Sequence, residues 1–449
     1  MPPRLCPEHL PSVEAYHEKL RLDPAPTLAA ARAAREKWQA GGTDLLPWSG
    51  WPLRPFFLPK QQMDQLAAQL LGRLRLFLQT LTASSASEIC SRFGLSADFF
   101  ERIALGEAFA DPRFLDLLRP DGFLHPDRYV LGEINFGNGL IVSNAYTEIL
   151  AEYHQTEPIL NELGTPVLRP FQAYLDLLAS LLPETGEKPP TIGLLSFSWE
   201  YDIICSWEKR VRDQLDVARR RMAERGWDTE IVHESDVYLD DEERPVHRPT
   251  GKVLDLVAHI TINTSFMDEP HRMSEDFQIW AGTHVGKAPL YKPLAALVFD
   301  KGTLTWLQEF PEPPCDDYSV PIATTEFPLS SKAVEYRLQR EEWVLKRSFD
   351  GKDTHVGRSA AGRVWNRAIA GALDSKEYIL QRYETMPRTL MPITTDGEQI
   401  EWVEVCFEFS PFLIAGRFAG ACVRYAPAAE GLIMSPPPEG MGFGIVAVV

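Results

Sequence analysis

Two strand-like runs in the C-terminal part of the chain end in lysines, Lys301 and Lys346. A polar turn at residues 347–357 follows the second lysine, and another extended run covers residues 377–384. A bound triphosphate needs ammonium groups on its oxygens, a loop whose backbone N–H groups close over it, and a main-chain edge that pairs with adenine. Each piece alone is common, because strand-end lysines are usually solvated and extended runs are usually core strands. Their order and spacing predict a nucleotide site.

Arginine and acidic residues form a second group, earlier in the chain. The motif Arg119-Pro-Asp121 precedes an extended run at residues 129–135, which closes with Glu133-Ile-Asn135. Glycines follow this run, so the segment predicts a strand and then a loop. The chain has no Walker-type phosphate loop and no Gly-x-Gly-x-x-Gly run, which argues against the folds that use them.

In the order of these motifs the chain resembles the ATP-grasp ligases. The order of its parts resembles that of the circularly permuted branch, which contains eukaryotic-type glutathione synthetase and glutathionylspermidine synthase. In that branch the acidic metal strand precedes the lysine strands, and the Arg-x-Asp and Glu-x-Asn pairs of this chain match it position by position. The glycine-rich run 439–448 is similar to the closing strand of glutathione synthetase. The resemblance covers most of residues 110–449, as short motifs.

The resemblance implies that the protein binds ATP with Mg²⁺, or with Mn²⁺ in its place. Glu133 and Asn135 would hold the metal, with Asp121 and Asp350 as further ligands, and such oxygen ligands suit Mg²⁺. Arg119 would clamp the phosphoryl group during transfer. The nucleotide contacts implied by the resemblance are Lys301, Lys346, Gly351, Gln381, Arg382 and Tyr383. Arg424 would act on the substrate or phosphate side, although a surface salt bridge explains it about equally well.

The phosphate loop departs from the family pattern. Family loops are richer in glycine, whereas Asp350-Gly-Lys-Asp-Thr-His355 contains one glycine among charged residues. Lys352 is therefore a hypothetical extra phosphate contact. His355 is a candidate base, although a histidine in a polar loop is more often solvated. An acyl phosphate must be kept from water, so we expect this loop to be the lid.

The elements that position these residues can be outlined from hydrophobic periodicity. Apolar residues at steps of three and four between residues 61 and 82 predict a long helix, and residues 211–222 predict another. The run 191–197 predicts a buried strand that opens a new α/β unit. We expect an α/β (α+β) fold of the permuted ATP-grasp type, with a helical N-terminal region and a small pre-ATP-grasp-like α/β domain. The expected units are 1–110 (helical), 111–190 (metal strand), 191–285 (substrate domain) and 286–449 (nucleotide domain).

Composition limits the partners. The 449 residues carry a formal charge of −18 with a pI of about 5.1, which argues against nucleic acid or an anionic membrane as the main partner. No apolar run approaches the ~20 residues of a membrane helix, and the N-terminus lacks a signal-peptide core, so we expect a cytoplasmic protein. The six cysteines are scattered, which predicts reduced, structural thiols.

Together these observations predict an ADP-forming carboxylate-amine ligase that works through an acyl phosphate. The expected substrates are a small carboxylate and an amine, such as an amino acid or peptide. The sequence leaves the oligomeric state open, although relatives of this kind are often homodimers. Two alternatives stay open. The acceptor could be the thiol of a carrier protein, or the chain could be a nucleotide-binding regulator without chemistry, since a fold alone does not establish activity.

Overall fold

The computed structural model describes residues 10–40, 50–93, 97, 109, 112–136, 140–182, 188–195, 209–259, 290–291, 301–311, 318–348, 354–429 and 441–449. These residues form a mixed α/β fold. Its helices are α1 Pro11–Leu22, α2 Ala25–Ala40, α3 Lys60–Ala83, α4 Ala86–Phe93, α5 Leu140–Thr156, α6 Pro158–Leu163, α7 Pro170–Leu181, α8 Lys209–Glu224, α9 Thr303–Leu307, α10 Ala333–Leu338 and α11 Gly362–Ala372.

The strands alternate with these helices along the chain. They are β1 Trp51–Pro52, β2 Phe56–Leu58, β3 Leu117–Leu124, β4 Tyr129–Asn135, β5 Thr191–Leu195, β6 Asp228–Val232, β7 Val237–Leu239, β8 Pro245–His247, β9 Lys252–Val253, β10 Leu256–His259, β11 Leu290–Tyr291, β12 Thr325–Glu326, β13 Trp343–Arg347, β14 His355–Val356, β15 Tyr378–Arg382, β16 Arg388–Thr394, β17 Glu401–Ile414, β18 Arg417–Pro427, β19 Gly442–Gly444 and β20 Val446–Val448.

Three sheets organise the fold. The central sheet has seven strands in the order β1-β16-β17-β18-β19, and β3 joins it by pairing with both β17 and β4. The small sheet has the order β12-β15-β13-β14, and helices α10 and α11 accompany it in the chain. The parallel sheet has the order β11-β10-β5-β6. Two short sheets, β2-β20 and β7-β8-β9, complete the described strands.

The predicted amphipathic helices are confirmed. Helix α3 buries the stripe that includes Met63, Leu66, Leu70, Leu74 and Phe77, and this stripe shares one core with apolar residues of the central sheet. Such a stripe recurs every three to four residues because the helix turns once every ~3.6 residues. Helix α3 therefore covers one face of the sheet that carries the candidate site.

The strand–helix–strand order predicted after residue 190 is confirmed. Strand β5 pairs in parallel with β6 and β10, and helix α8 lies between β5 and β6 in the chain. Leu215, Ala218 and Met222 of α8 are buried, and the helix is followed by Gly226, whose φ of 77° is the left-handed conformation that favours glycine. Among the described helices, none combines the length and the apolarity that a bilayer crossing requires.

Candidate functional site

The hairpin β3–β4 brings the two predicted motifs together. Arg119 lies opposite Asn135, and Asp121 lies opposite Glu133. Residues two apart on a strand point to the same face, so these four side chains share one face of the central sheet. The Asn135 amide nitrogen donates to the Arg119 carbonyl oxygen and to Asp121 Oδ2, both at 3.2 Å. The Arg-x-Asp and Glu-x-Asn motifs therefore form one cluster.

A β-bulge sets the direction of Asp121. The register of β3 against β4 shifts between Asp121 and Gly122. A Cβ atom at Gly122 would lie 2.3 Å from the carbonyl oxygen of Val130, so only glycine fits there. Bulges commonly re-aim a neighbouring side chain at functional sites, and here the neighbour is the acidic residue of the motif.

Asp121 is the anionic centre of the cluster. Its side chain is 4% exposed and accepts two hydrogen bonds from Arg119, at 2.9 and 3.1 Å. Arg424 reaches the same carboxylate from β18 at 3.2 Å and donates to Glu408 of β17 at 2.7 Å. Arg424 is thus part of a partly buried arrangement with two carboxylates rather than an isolated surface salt bridge. Glu408 was not predicted from the sequence.

The two carboxyl groups that bind Arg424 differ in their acidity. Burial raises the pKa of Asp121, but Arg119 and Arg424 outweigh it, and the pKa lies below the ordinary value. Burial raises the pKa of Glu408, the negative charges of Asp121 and Glu133 raise it further, and Arg424 alone does not compensate. Asp121 is therefore held as an anion, while Glu408 is the carboxyl group that protonates more easily.

The predicted lysines approach the same hairpin from other segments. Lys301 Nζ lies 3.4 Å from Glu133 Oε1, and the Lys301 backbone N–H donates to the Ser348 carbonyl oxygen at 3.1 Å. Ser348 stands just beyond Lys346 in the chain, so this bond ties the two lysine segments together. Burial lowers the pKa of Lys346. The negative charge of Glu133 raises this pKa, whereas the positive charge of Lys301 lowers it further.

Lys346 is held by Gln381. Lys346 Nζ donates to Gln381 Oε1 at 2.7 Å, across the paired strands β13 and β15. The Gln381 amide nitrogen donates in turn to the Gly132 carbonyl oxygen at 2.9 Å and to Thr325 Oγ1 at 3.1 Å. Gly132 immediately precedes Glu133, so both lysines connect to the same dipeptide of β4.

The extended run that was expected to offer a main-chain edge to adenine lies inside the small sheet. Strand β15 lies between β12 and β13 rather than at the edge of the small sheet. The Arg382 N–H donates to the Thr324 carbonyl and the Tyr383 N–H donates to the Glu342 carbonyl, both at 2.8 Å. These two amides are occupied within the protein, so neither supplies the main-chain donor to adenine in this conformation.

The side chains of Arg382 and Tyr383 also have protein partners. The Arg382 guanidinium lies 4.2 Å from the ring centre of Trp343 and forms an ion pair with Glu342. The Tyr383 ring lies 4.6 Å from the guanidinium of Arg358. Their predicted contact with the nucleotide stays a prediction.

Three predicted loop residues, Asp350, Gly351 and Lys352, lie outside the described residues, and so does most of the loop expected to be the lid. His355 is described. It lies on β14 opposite Leu345 and is half-buried.

The donor set of the hairpin fits a hard cation. Within the described ranges no group of three or more His, Cys, Asp or Glu side chains is arranged to hold a metal ion. Asp121, Glu133 and Asn135 nevertheless present two carboxylates and an amide on facing strands. The amide nitrogen of Asn135 bonds to Asp121, which leaves its amide oxygen as the remaining donor atom. Carboxylate and amide oxygens are ligands that Mg²⁺ accepts.

One sequence signal pointed to Glu408. It lies between Phe407 and Phe409, in a strand whose residues from Val405 to Ile414 are otherwise buried. A charged residue inside a buried apolar run needs a partner, so its presence indicates an ionic contact. The sequence does not name that partner, because Arg424 becomes its neighbour only when β17 pairs with β18.

Comparisons with known proteins do not identify a family for this chain. No protein-family model matches the chain, and no curated protein has significant sequence similarity to it. Among solved structures, the chain is similar to a Methylobacillus flagellatus KT protein described as a "putative gamma-glutamylcysteine synthetase". The identity is 10%, the TM-score is 0.40, and the match covers 75% of this chain and 84% of the other. At this level of similarity, the function has to be argued from the chain's own residues.

Proposed function

We propose that the protein is an ATP-grasp ligase of the circularly permuted kind, which activates a carboxylate with ATP and joins it to an amine, releasing ADP and phosphate. One observation carries the proposal. Lys301 contacts Glu133 directly, and Lys346 is linked through Gln381 to Gly132, in a strand that also pairs with the Arg119–Asp121 motif. A candidate phosphate site, a candidate metal site and two partly buried arginines would thereby be combined in one cluster.

The charge of the cluster supports an anionic ligand. It contains the cations Arg119, Arg424, Lys301 and Lys346 and the carboxylates Asp121, Glu133 and Glu408. Cations are in excess here, although the whole chain carries a formal charge of −18. A local excess of positive charge in a strongly acidic protein favours a ligand that brings several negative charges, such as a triphosphate with a carboxylate.

Each group has a distinct role in this proposal. Lys301 and Lys346 bind phosphate oxygens, and Arg119 and Arg424 bind the carboxylate and the phosphoryl group in transfer. Asp121, Glu133 and Asn135 would hold Mg²⁺, with Asp350 as the further ligand implied by the family resemblance. Bound there, the ion would screen the phosphate charge that otherwise repels an attacking carboxylate.

Glu408 gives Arg424 a second anchor. The 2.7 Å bond to Glu408 would keep the guanidinium in place if Asp121 bound the metal. The protein thus positions and neutralises the reactants, without a covalent nucleophile of its own. Carboxylate attack on the γ-phosphate gives the acyl phosphate and ADP, and attack by the amine then releases phosphate.

A trapping experiment tests the proposal. The protein is incubated with Mg-ATP, pools of amino acids and small carboxylates, and hydroxylamine as a substitute amine. We expect ADP, phosphate and a hydroxamate, and we expect Glu133→Ala to abolish all three. Glu404→Ala is the matched control, because Glu404 is an exposed residue of the central sheet that pairs with Arg388. AMP with pyrophosphate would instead assign an adenylating enzyme.

Two further outcomes separate the alternatives. Turnover that requires an added carrier protein would assign the carrier thiol as acceptor. Stabilisation of the fold by ATP, without turnover from any pool, would favour a non-catalytic regulator.

A further inference from the structure

The Gln381 side chain links three segments of the protein around the cluster. It is buried, with the residue 3% exposed, and its amide makes hydrogen bonds to three different segments. The oxygen accepts from Lys346 of β13, and the nitrogen donates to Gly132 of β4 and to Thr325 of β12. Gln381 is therefore the junction between the small sheet and the hairpin β3–β4.

The surrounding groups fix the orientation of this amide. The Gly132 carbonyl oxygen can only accept, so the amide nitrogen has to face it. Thr325 Oγ1 donates its own proton to the Ala323 carbonyl at 2.7 Å, so it also needs a donor from Gln381. The amide oxygen is consequently directed at Lys346. If the amide were rotated by 180°, its oxygen would face the Gly132 carbonyl oxygen, and its NH₂ group would face the Lys346 ammonium group. Neither of these contacts is a hydrogen bond.

The backbone of Thr325 is bound by the side chain of Gln308. The Gln308 side chain accepts from the Thr325 N–H at 3.2 Å and donates to the Thr325 carbonyl at 2.5 Å. Gln308 follows helix α9, which begins just after Lys301. A chain of hydrogen bonds thus runs from the segment of one lysine, through Thr325 and Gln381, to the ammonium group of the other.

We propose that Gln381 is a positioning residue that fixes the Lys346 ammonium group over the hairpin and locks the small sheet to β4. Its importance for the reaction rests on the proposed function, in which Lys346 binds a phosphate oxygen of ATP. The side chain of Gln381 then acts through Lys346 and does not itself need to touch the nucleotide. This differs from the nucleotide contact that the sequence resemblance implies for this residue.

Two substitutions of similar size separate positioning from packing. Gln381→Leu removes the acceptor of the ammonium group, so Lys346 should lose its proton more readily. Gln381→Glu keeps an oxygen toward Lys346 and adds a negative charge, so Lys346 should hold its proton more firmly. Both substitutions remove the donor to Gly132, and a role in packing alone would change Lys346 in the same direction in both variants.

Acetylation of lysine amines reports how firmly Lys346 holds its proton, and the experiment needs no ATP. The intact protein is treated with a limiting acetylating reagent at neutral pH, and acetylation of Lys346 is quantified by mass spectrometry against Lys332 in the same sample. Lys332 is a suitable reference because it is paired with Glu326 at 2.5 Å. Relative to wild type, we expect several-fold faster labelling of Lys346 in Gln381→Leu and slower labelling in Gln381→Glu. Equal or parallel changes in the two variants would overturn the proposal.

A binding cycle then tests the consequence for the nucleotide. We expect Gln381→Leu to weaken Mg-ATP binding by about tenfold, the scale of one lost hydrogen bond to a charged group. Combined with Lys346→Met, it should weaken binding no further than Lys346→Met alone, because the two residues act as one unit. Independent, multiplying effects would refute the coupling.

The outcomes remain distinguishable from failure of the proposed function. Absence of Mg-ATP binding by the wild-type protein would remove the ligase proposal, while the opposite labelling shifts would still establish Gln381 as the residue that positions Lys346. Thr325→Val is the control for a general disturbance of the buried residues around Gln381. It removes one hydrogen-bond partner of Gln381 and leaves the Gly132 contact that orients the amide. We expect it to change Lys346 labelling by less than about twofold.

Discussion

Asp121 and Glu408 bind the same guanidinium, but neutralising them should change the stability of the protein by different amounts. Both carboxylates accept from Arg424, at 3.2 and 2.7 Å. Asp121→Asn and Glu408→Gln remove one charge each with little change of shape. Because the surroundings lower the pKa of Asp121 and raise that of Glu408, we expect only the first substitution to cost substantial stability.

The size of the effect follows from what each substitution leaves behind. Asp121→Asn leaves the Arg119 and Arg424 guanidinium groups, with side chains 16% and 23% exposed, without their shared anion. Breaking a buried ion pair from one side costs about 3–5 kcal/mol, and partial exposure of Arg424 puts this case near 3. Glu408→Gln removes a carboxylate that its surroundings disfavour, so we expect a cost below about 1 kcal/mol.

These free energies predict measurable shifts of the melting temperature. An unfolding entropy of roughly 2.1 cal/mol/K per residue amounts to about 0.9 kcal/mol/K for 449 residues. Asp121→Asn should then lower the melting temperature by about 3 °C, and Glu408→Gln by less than about 1 °C. Differential scanning calorimetry on both variants and the wild type at neutral pH makes the comparison.

The contributions of the two carboxyl groups to folding stability should change with pH in opposite directions. A carboxyl group whose folded pKa lies below the unfolded value stabilises the fold above that value, so the Asp121 contribution is complete above its ordinary 3.8 and is lost as pH falls through the folded pKa. For Glu408 the folded pKa lies above the ordinary 4.5, so its contribution is present below 4.5 and is lost as pH rises through the folded pKa.

Above about pH 5 the cost of Asp121→Asn should therefore stay constant. Glu408→Gln should improve relative to wild type as the pH rises from 4.5 through the folded pKa of Glu408 and should then level off. Equal costs for the two variants, or a cost of Glu408→Gln that grows with pH, would refute the electrostatic reasoning.

Three other predictions concern neighbouring parts of the site. Lys301→Met should weaken Mg-ATP binding by at least about tenfold by calorimetric titration, with little change in melting temperature, and unchanged affinity would remove this lysine from the phosphate site. Burial raises the pKa of Cys422 from 9.0 to about 11, so its alkylation at pH 8 should be at least about a hundredfold slower in the folded protein than in urea, and fast labelling would contradict the burial. Gly357→Ala would place a Cβ atom 1.9 Å from the Arg340 carbonyl oxygen and should lower the melting temperature. Gly371→Ala is the control, because it lies in helix α11 with no atom within 4 Å of the added Cβ, and it should be neutral or stabilising by about 0.5–1 kcal/mol. Equal effects of the two substitutions would show that the turn at Gly357 tolerates a side chain.

Local patterns in the sequence were sufficient to predict several elements. The apolar stripe of α3 and the spacing of α8 are properties of a single helix, and the paired motifs of β3 and β4 are close in sequence. The structure brings Arg119, Asp121, Glu133 and Asn135 together through a hairpin with a short connection, so few long-range contacts are needed. Lys301 and Arg424 join this cluster, as the resemblance implied, but their roles remain proposals.

The remaining features depend on pairings between distant residues. Gln381 meets Gly132 only when the small sheet packs on β4, and nothing in either sequence segment specifies that contact. Proline also obscures the strands of the central sheet, because Pro120, Pro392 and Pro411 lie inside β3, β16 and β17. Proline usually argues against a strand interior. The occupied N–H groups of Arg382 and Tyr383 likewise follow from sheet pairing, which periodicity cannot reveal.

Direct titration of Mg-ATP tests the central claim, that Lys301, Lys346 and the β3–β4 hairpin form a nucleotide site. Isothermal titration calorimetry is run on the wild type, on the double variant Lys301→Met/Lys346→Met, and on Lys332→Met as a control from the same region of the chain. We expect saturable binding of one ATP by the wild type and the control, and affinity at least about a hundredfold weaker in the double variant. Absence of binding by the wild type, or equal affinity in all three proteins, would contradict the account.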